Sequence, residues 1–111
     1  MNEPKEKRNI ERKCIDGHTY VFDHSKEYLA SGCIYDINTA GMALLSKTQI
    51  KEGTKIICNL FRKCTDDNMV EANDISGEVI RIQKMGKFWL AGVLFTDVSS
   101  EKNTELSQLT A

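Results

Sequence analysis

The sequence predicts an all-β domain, an antiparallel barrel or sandwich, and three observations carry that prediction. Short runs rich in β-branched and aromatic residues recur along the chain with turn residues between them. Helical patterns do not alternate with these runs, which argues against a βαβ plan. The chain has 111 residues and a single proline. That length suits one domain with one hydrophobic core.

Residues 1–13 alternate acids and bases and lack a periodic apolar face. They are expected to form a flexible arm, and residues 14–111 the folded domain. Residues 18–22, His-Thr-Tyr-Val-Phe, read as the first strand. A second strand is expected to end at Ile34 and Tyr35, just before Asp36, and residues 41–45 are a short third candidate. Lys51-Glu52-Gly53 reads as a turn, residues 55–61 as the fourth strand, and residues 65–68 as an exposed loop. Residues 75–82 and 88–95 read as the fifth and sixth strands, joined as a hairpin through Lys84-Met85-Gly86.

The sixth strand is apolar on both faces, so cover is expected on both sides, one from the interior and one from a helix or a partner. The tail is the candidate helix. Ser99 or Ser100 suits its N-cap, Glu101 adds negative charge to its first turn, and Leu106 and Leu109 lie three apart on one face. A helix this short needs docking to persist.

Composition narrows the function. Net charge is -1, so no global basic field recruits nucleic acid, and any anion site must be local. No apolar run reaches transmembrane length, and the first eight residues lack the apolar region of a signal peptide. A cytoplasmic protein without membrane association is therefore expected. Cys14, Cys33, Cys58 and Cys64 form no CxxC pair, and His18 and His24 complete no zinc-finger spacing. Reduced, largely inert thiols and no bound metal are expected, with Cys58 acting as a small hydrophobe. Neither histidine has a nucleophile or acid partner at a recognisable spacing, and no glycine-rich phosphate loop precedes a helix. The expected role is a receptor rather than an enzyme.

Two motifs carry chemistry. Arg8 and Arg12 stand four apart, with Lys7 beside them. A guanidinium is planar and permanently charged, grips phosphate oxygens in pairs and stacks on flat rings. By spacing alone, the pair also fits a solvated charged tail with Glu6 and Glu11 as weak local partners. The second motif is Asp36-Ile37-Asn38-Thr39-Ala40-Gly41, between two candidate strands. Asp36 can accept the N1-H and N2-H of a guanine edge, Asn38 can donate or accept, and Gly41 permits a positive φ or a close approach. Alone, this motif better fits a turn in which Asp36 and Asn38 bond their own backbone.

Together, the two motifs resemble the signature of the PilZ family, RxxxR in an N-terminal segment followed by D/N-x-S-x-x-G on a barrel. Arg8 and Arg12 match the first part; Asp36 and Gly41 match the second, and Asn38 stands where the family usually has serine. The similarity extends through Gly53, the run Ile75-Ser76-Gly77-Glu78-Val79 and the run from Leu90 to Phe95, covering nearly everything from Lys7 to Val98. The resemblance implies a six-stranded antiparallel β-barrel with a flexible N-terminal arm. It also implies binding of the bacterial second messenger cyclic di-GMP, often as a stacked, intercalated dimer. Arg8 and Arg12 would contact phosphates and guanine faces, Asp36 a guanine edge, and Asn38 would replace the serine's hydrogen bond. Gly41 would shape the turn, and Gly92 would give backbone room beside the ligand. Lys7 would touch the ligand or influence how many copies bind. The implied output is control of a partner protein in motility, pilus, biofilm or related behaviour.

Two other readings remain open at this level. One is a divergent domain of this family that has lost the nucleotide and works as a protein-interaction adaptor. The other is a small barrel for single-stranded nucleic acid, which needs basic and aromatic residues together. Here Tyr20, Phe88 and Trp89 have few Lys or Arg neighbours in sequence.

Overall fold

The computed structural model describes residues 17–63, 69–96 and 99–110. Among them, six strands close into a barrel: β1 (Gly17–Phe22), β2 (Tyr28–Ile37), β3 (Gly41–Ser46), β4 (Lys55–Lys63), β5 (Met69–Met85) and β6 (Phe88–Phe95). The order around the barrel is β1, β2, β3, β6, β5, β4 and back to β1. Every neighbouring pair is antiparallel. Closure leaves no sheet edge to aggregate. Helix α1 (Ser100–Thr110) follows the last strand.

The turns follow local chemistry. Asp23 Oδ1 accepts the Ser25 and Glu27 N–H groups at 2.8 and 3.0 Å, which shapes the β1–β2 connection. Gly86 takes φ +62. It is the first of the two residues between Met85 and Phe88, where a primed hairpin turn places glycine. The β3–β4 connection turns at Gly53, whose φ is +86. That connection is tied to β5, because Gly53 N–H donates to the Val79 carbonyl at 2.7 Å and Val79 N–H to the Thr54 carbonyl at 2.9 Å.

The interior is filled by alternating strand positions, among them Val21, Leu44, Ile56, Leu60, Ile75 and Val79. Cys58 is fully buried with them, and burial pushes its thiol up to about 12. It stays protonated and packs as a small hydrophobe, as expected. Ile50, in the β3–β4 connection, also belongs to this core.

Helix α1 docks where β4 finishes and β5 begins. Ser99 is its N-cap, its Oγ accepting the Lys102 N–H at 3.2 Å. Leu106 and Leu109 are fully buried in the common core. Each contributes about 1.5–3 kcal/mol, enough to hold a helix too short to persist alone. Polar ties add to this: Lys102 Nζ donates to the Asn73 carbonyl, Asn73 N–H to Glu105 Oε1, and Arg62 to the Leu109 carbonyl.

Three expectations about the strands are corrected. β2 does not end before Asp36 but runs on through Ile37. β5 is longer than residues 75–82, extending from Met69 to Met85. Its polar first part pairs with β4, Leu60 opposite Ala72 and Arg62 opposite Val70, so tertiary pairing overrides a weak local pattern. Among the described residues, the sixth strand is covered on its inner face only, and the tail helix is not its outer cover. Ala91 and Val93 are buried, whereas Leu94 on the outer face is 45% exposed, because α1 closes the barrel end instead of lying over β6. Among the described residues, no helix is long and apolar enough to cross a membrane.

Candidate functional site

The site is built on a row of four residues that runs across four adjacent strands. Asp36 on β2 pairs with Ala43 on β3, Ala43 with Gly92 on β6, and Gly92 with Arg81 on β5. Directly paired residues point to the same side of a sheet. The row therefore lies on the outside of the barrel, with a carboxylate at one end, a guanidinium at the other and two small residues between. Strand spacing puts the end residues up to roughly 14 Å apart, backbone to backbone.

Strict alternation would have turned both charged residues inward. Ile34 is buried, so Asp36, two positions on, would share its direction. A bulge between Ile34 and Asp36 adds one residue, and Asp36 faces out. The same device acts on β5. Val79 is fully buried, a bulge separates it from Arg81, and Arg81 faces out.

The turn that follows Asp36 is held by Asn38. Its N–H donates to the Gly41 carbonyl at 2.9 Å. Its side-chain Oδ1 accepts the Ala40 N–H at 2.7 Å and the Gly41 N–H at 3.0 Å. That is the Asx turn the sequence left open, and it uses the oxygen only. The amide nitrogen makes no hydrogen bond among the described residues and remains a donor for an incoming group. A serine hydroxyl can hold the same turn and still donate one O–H, so asparagine keeps the turn and offers two N–H donors in its place. Asp36 Oδ1 accepts the Ile37 N–H at 2.9 Å, and the second carboxylate oxygen is unpartnered among the described residues.

Two glycines here have different causes. A Cβ on Gly41 would stand 2.3 Å from the Val93 carbonyl oxygen, so the close passage of β6 requires glycine there. Gly41 does not have a positive φ, so the close approach, not backbone handedness, accounts for it. A Cβ on Gly92 would meet only Arg81, its Cβ at 3.5 Å and its carbonyl oxygen at 3.9 Å, an ordinary contact. Gly92 sits in a strand interior, where glycine costs about 0.5–1 kcal/mol relative to alanine.

Asp36, Asn38, Gly41 and Gly92 all border one open depression of about 310 Å³, together with Ala43, Ile80, Arg81 and Leu94. A second depression of about 270 Å³ lies at the helix-capped end, bordered by Gly17, Asp36, Arg62 and Leu109 among others. Asp36 borders both. Lys7, Arg8 and Arg12 lie outside the described residues. The chain that carries them joins the barrel at Gly17, on the rim of the second depression. Arg12 is five residues upstream, a reach of at most about 18 Å of chain.

The sequence reading missed Ala43 and Arg81. The signal was present as a break in alternation. Ile34 and Ile37 differ by an odd number, as do Val79 and Ile82. Each pair could face one core only if a bulge lay between.

The sequence matches the family model described as the PilZ domain over residues 6–111. Solved structures that share the fold include two of low sequence identity. One is the PilZ domain with c-di-GMP of YcgR from Escherichia coli, 16% identical, with TM-score 0.61, covering 85% of this chain and 77% of that one. The other is K. pneumonia MrkH in its apo state, 14% identical, with TM-score 0.56. That match covers 81% of this chain and 42% of MrkH. No curated protein matches the sequence at a significant level.

Proposed function

The chain belongs to the PilZ domain family, and from that premise we propose that it is a receptor for cyclic di-GMP that controls a partner protein. The observation that carries this reading is the gathering of Asp36, Asn38, Gly41 and Gly92 around one depression. Asp36 also borders the second depression, on whose rim, at Gly17, the segment bearing Arg8 and Arg12 joins the barrel. The YcgR structure, similar in fold, holds c-di-GMP.

In this proposal each residue has a distinct task. The free oxygen of Asp36 accepts from a guanine edge. The Asn38 amide donates to a phosphate oxygen or a base edge. Arg8 and Arg12 reach from the N-terminal segment and grip phosphates and guanine faces, charged contacts that neutral side chains cannot replace. Lys7 adds a cation beside them and influences whether one ligand or a stacked pair is held. Binding ties the N-terminal segment to the barrel. It works as a switch because the ligand has higher affinity for the closed arrangement than for the open one. The partner reads that change.

Titration calorimetry of the full chain with cyclic di-GMP tests the proposal. Saturable binding with one or two ligands per chain is expected. Arg8→Ala and Arg12→Ala should each weaken it by about 1.5–3 kcal/mol. An absence of heat change at high micromolar ligand overturns the reading.

A further inference from the structure

The residue at the far end of the outer row has no part in the signature that identifies the family. Arg81 is exposed and makes no hydrogen bond, ion pair or ring contact among the described residues. An exposed arginine on a strand is ordinarily a solvated charge. Three observations set this one apart.

The first is the bulge. β5 carries an irregularity between Val79 and Arg81. Its consequence is to bring a cation out of the inward phase and level with Gly92. Bulges recur beside functional sites, where they re-aim a side chain. The second is the match with β2, whose bulge brings Asp36 out against the same row from the other side. Two separate irregularities converge on one line of residues. The third is the floor between them. Gly32, Gly41 and Gly77 are forced by packing, since an added Cβ would stand 2.2, 2.3 and 2.8 Å from neighbouring atoms. Gly92 is not so forced, because its Cβ would meet nothing closer than 3.5 Å. A strand glycine that packing does not require often marks a bulge, and Gly92 lies opposite the one on β5, or a place where something else approaches the backbone.

We infer that Arg81 is a further ligand residue, its guanidinium laid against the face of a purine that rests on the backbone at Gly92. This rests on the receptor reading above and deepens it. Ala43 and Gly92 supply a shallow floor. Ile80 and Leu94, 54% and 45% exposed, border the same depression and supply apolar edges. Such a bed suits a flat ring with an apolar face. The plane of a guanidinium stacks on that ring, which a lysine ammonium cannot do. Asp36 then takes the edge of a base and Arg81 the face, two contacts that the row holds apart by three strand spacings.

The test is titration calorimetry of the full chain with cyclic di-GMP, with a thermal melt for each variant. Arg81→Ala should raise Kd about tenfold, the size of one desolvated cation–ring contact. Arg81→Lys should recover less than half of that loss on a logarithmic scale, because it restores charge without the plane. Arg81→Gln keeps most of the side chain's length and takes the place of the alanine variant if that one melts early. Wild-type binding with Kd changed less than about threefold in the alanine or glutamine variant overturns the role of Arg81 and leaves the receptor reading standing. Full recovery by lysine overturns the stacking contact. No binding by the wild type overturns both readings at once.

Discussion

On the side formed by β2, β1 and β4, the outward positions are filled with rings that touch one another. His18 lies opposite Phe61 in the β1–β4 register, with ring centres 5.7 Å apart, and Tyr20 meets the same Phe61 at 5.7 Å. Phe22 and Tyr28 meet at 6.2 Å. On the side formed by β3, β6 and β5, together with the end of β2, the corresponding row is Asp36, Ala43, Gly92 and Arg81. Its two charges have unused hydrogen-bonding capacity, and its two middle residues leave the backbone uncovered. The ring side satisfies itself through cross-strand pairs, the usual means of stabilising a sheet. On the other side such a contact is found only nearer the hairpin among the described residues, where Lys84 lies over the Trp89 ring at 5.5 Å, and the row itself has none. Self-paired rings and unpaired charges are thus divided between two walls of one small barrel.

The largest effect that can break this division separates the two glycines. Gly41→Ala drives a Cβ to 2.3 Å from the Val93 carbonyl oxygen. It should lower unfolding free energy by about 3 kcal/mol in urea denaturation. Gly92→Ala should leave stability unchanged or raise it by up to about 1 kcal/mol, since the new methyl fits and the unfolded chain loses freedom. The same variant should weaken cyclic di-GMP binding in calorimetry. A stability loss at Gly92 comparable to that at Gly41 would mean that packing, not recognition, explains the floor.

A smaller effect tests the ring side. Phe61→Ala removes the ring shared by His18 and Tyr20. It should cost about 2 kcal/mol of stability and leave Kd for cyclic di-GMP within twofold. A marked loss of affinity would show that the two walls are not independent.

The smallest effect concerns Asn38→Ser. A serine hydroxyl can accept the Ala40 and Gly41 N–H groups that Asn38 now holds. Stability should stay within about 0.5 kcal/mol, and affinity should hold or rise. A large loss of affinity would show that the asparagine amide makes a contact no hydroxyl can replace.

β1, β4 and β6 could be read locally. β6 spans Phe88–Phe95, as its apolar run predicts, and the hairpin turns at Gly86, although Lys84 and Met85, expected in the connection, belong to β5. The helix face of Leu106 and Leu109 was equally plain. The early half of β5 was not, because Glu71, Asn73 and Asp74 interrupt its pattern. Asp74 takes φ 56 where β4 and β5 fall out of step. The polar motif at Asp36 stood out in the sequence, while its counterpart at Arg81 did not.

Residue order alone therefore specified an all-β chain, its main turns, the capped tail and the family signature. These depend on neighbours within a few positions, where propensity, alternation and capping act. The closed order of the strands, the docking of α1 through Arg62 and Asn73, and the outward aim of Asp36 and Arg81 depended on tertiary structure. The reason is that facing is a property of pairing. Whether a residue on β5 points into the core or out of it depends on which residue of β6 lies opposite. One added residue at a bulge reverses the direction of everything that follows it.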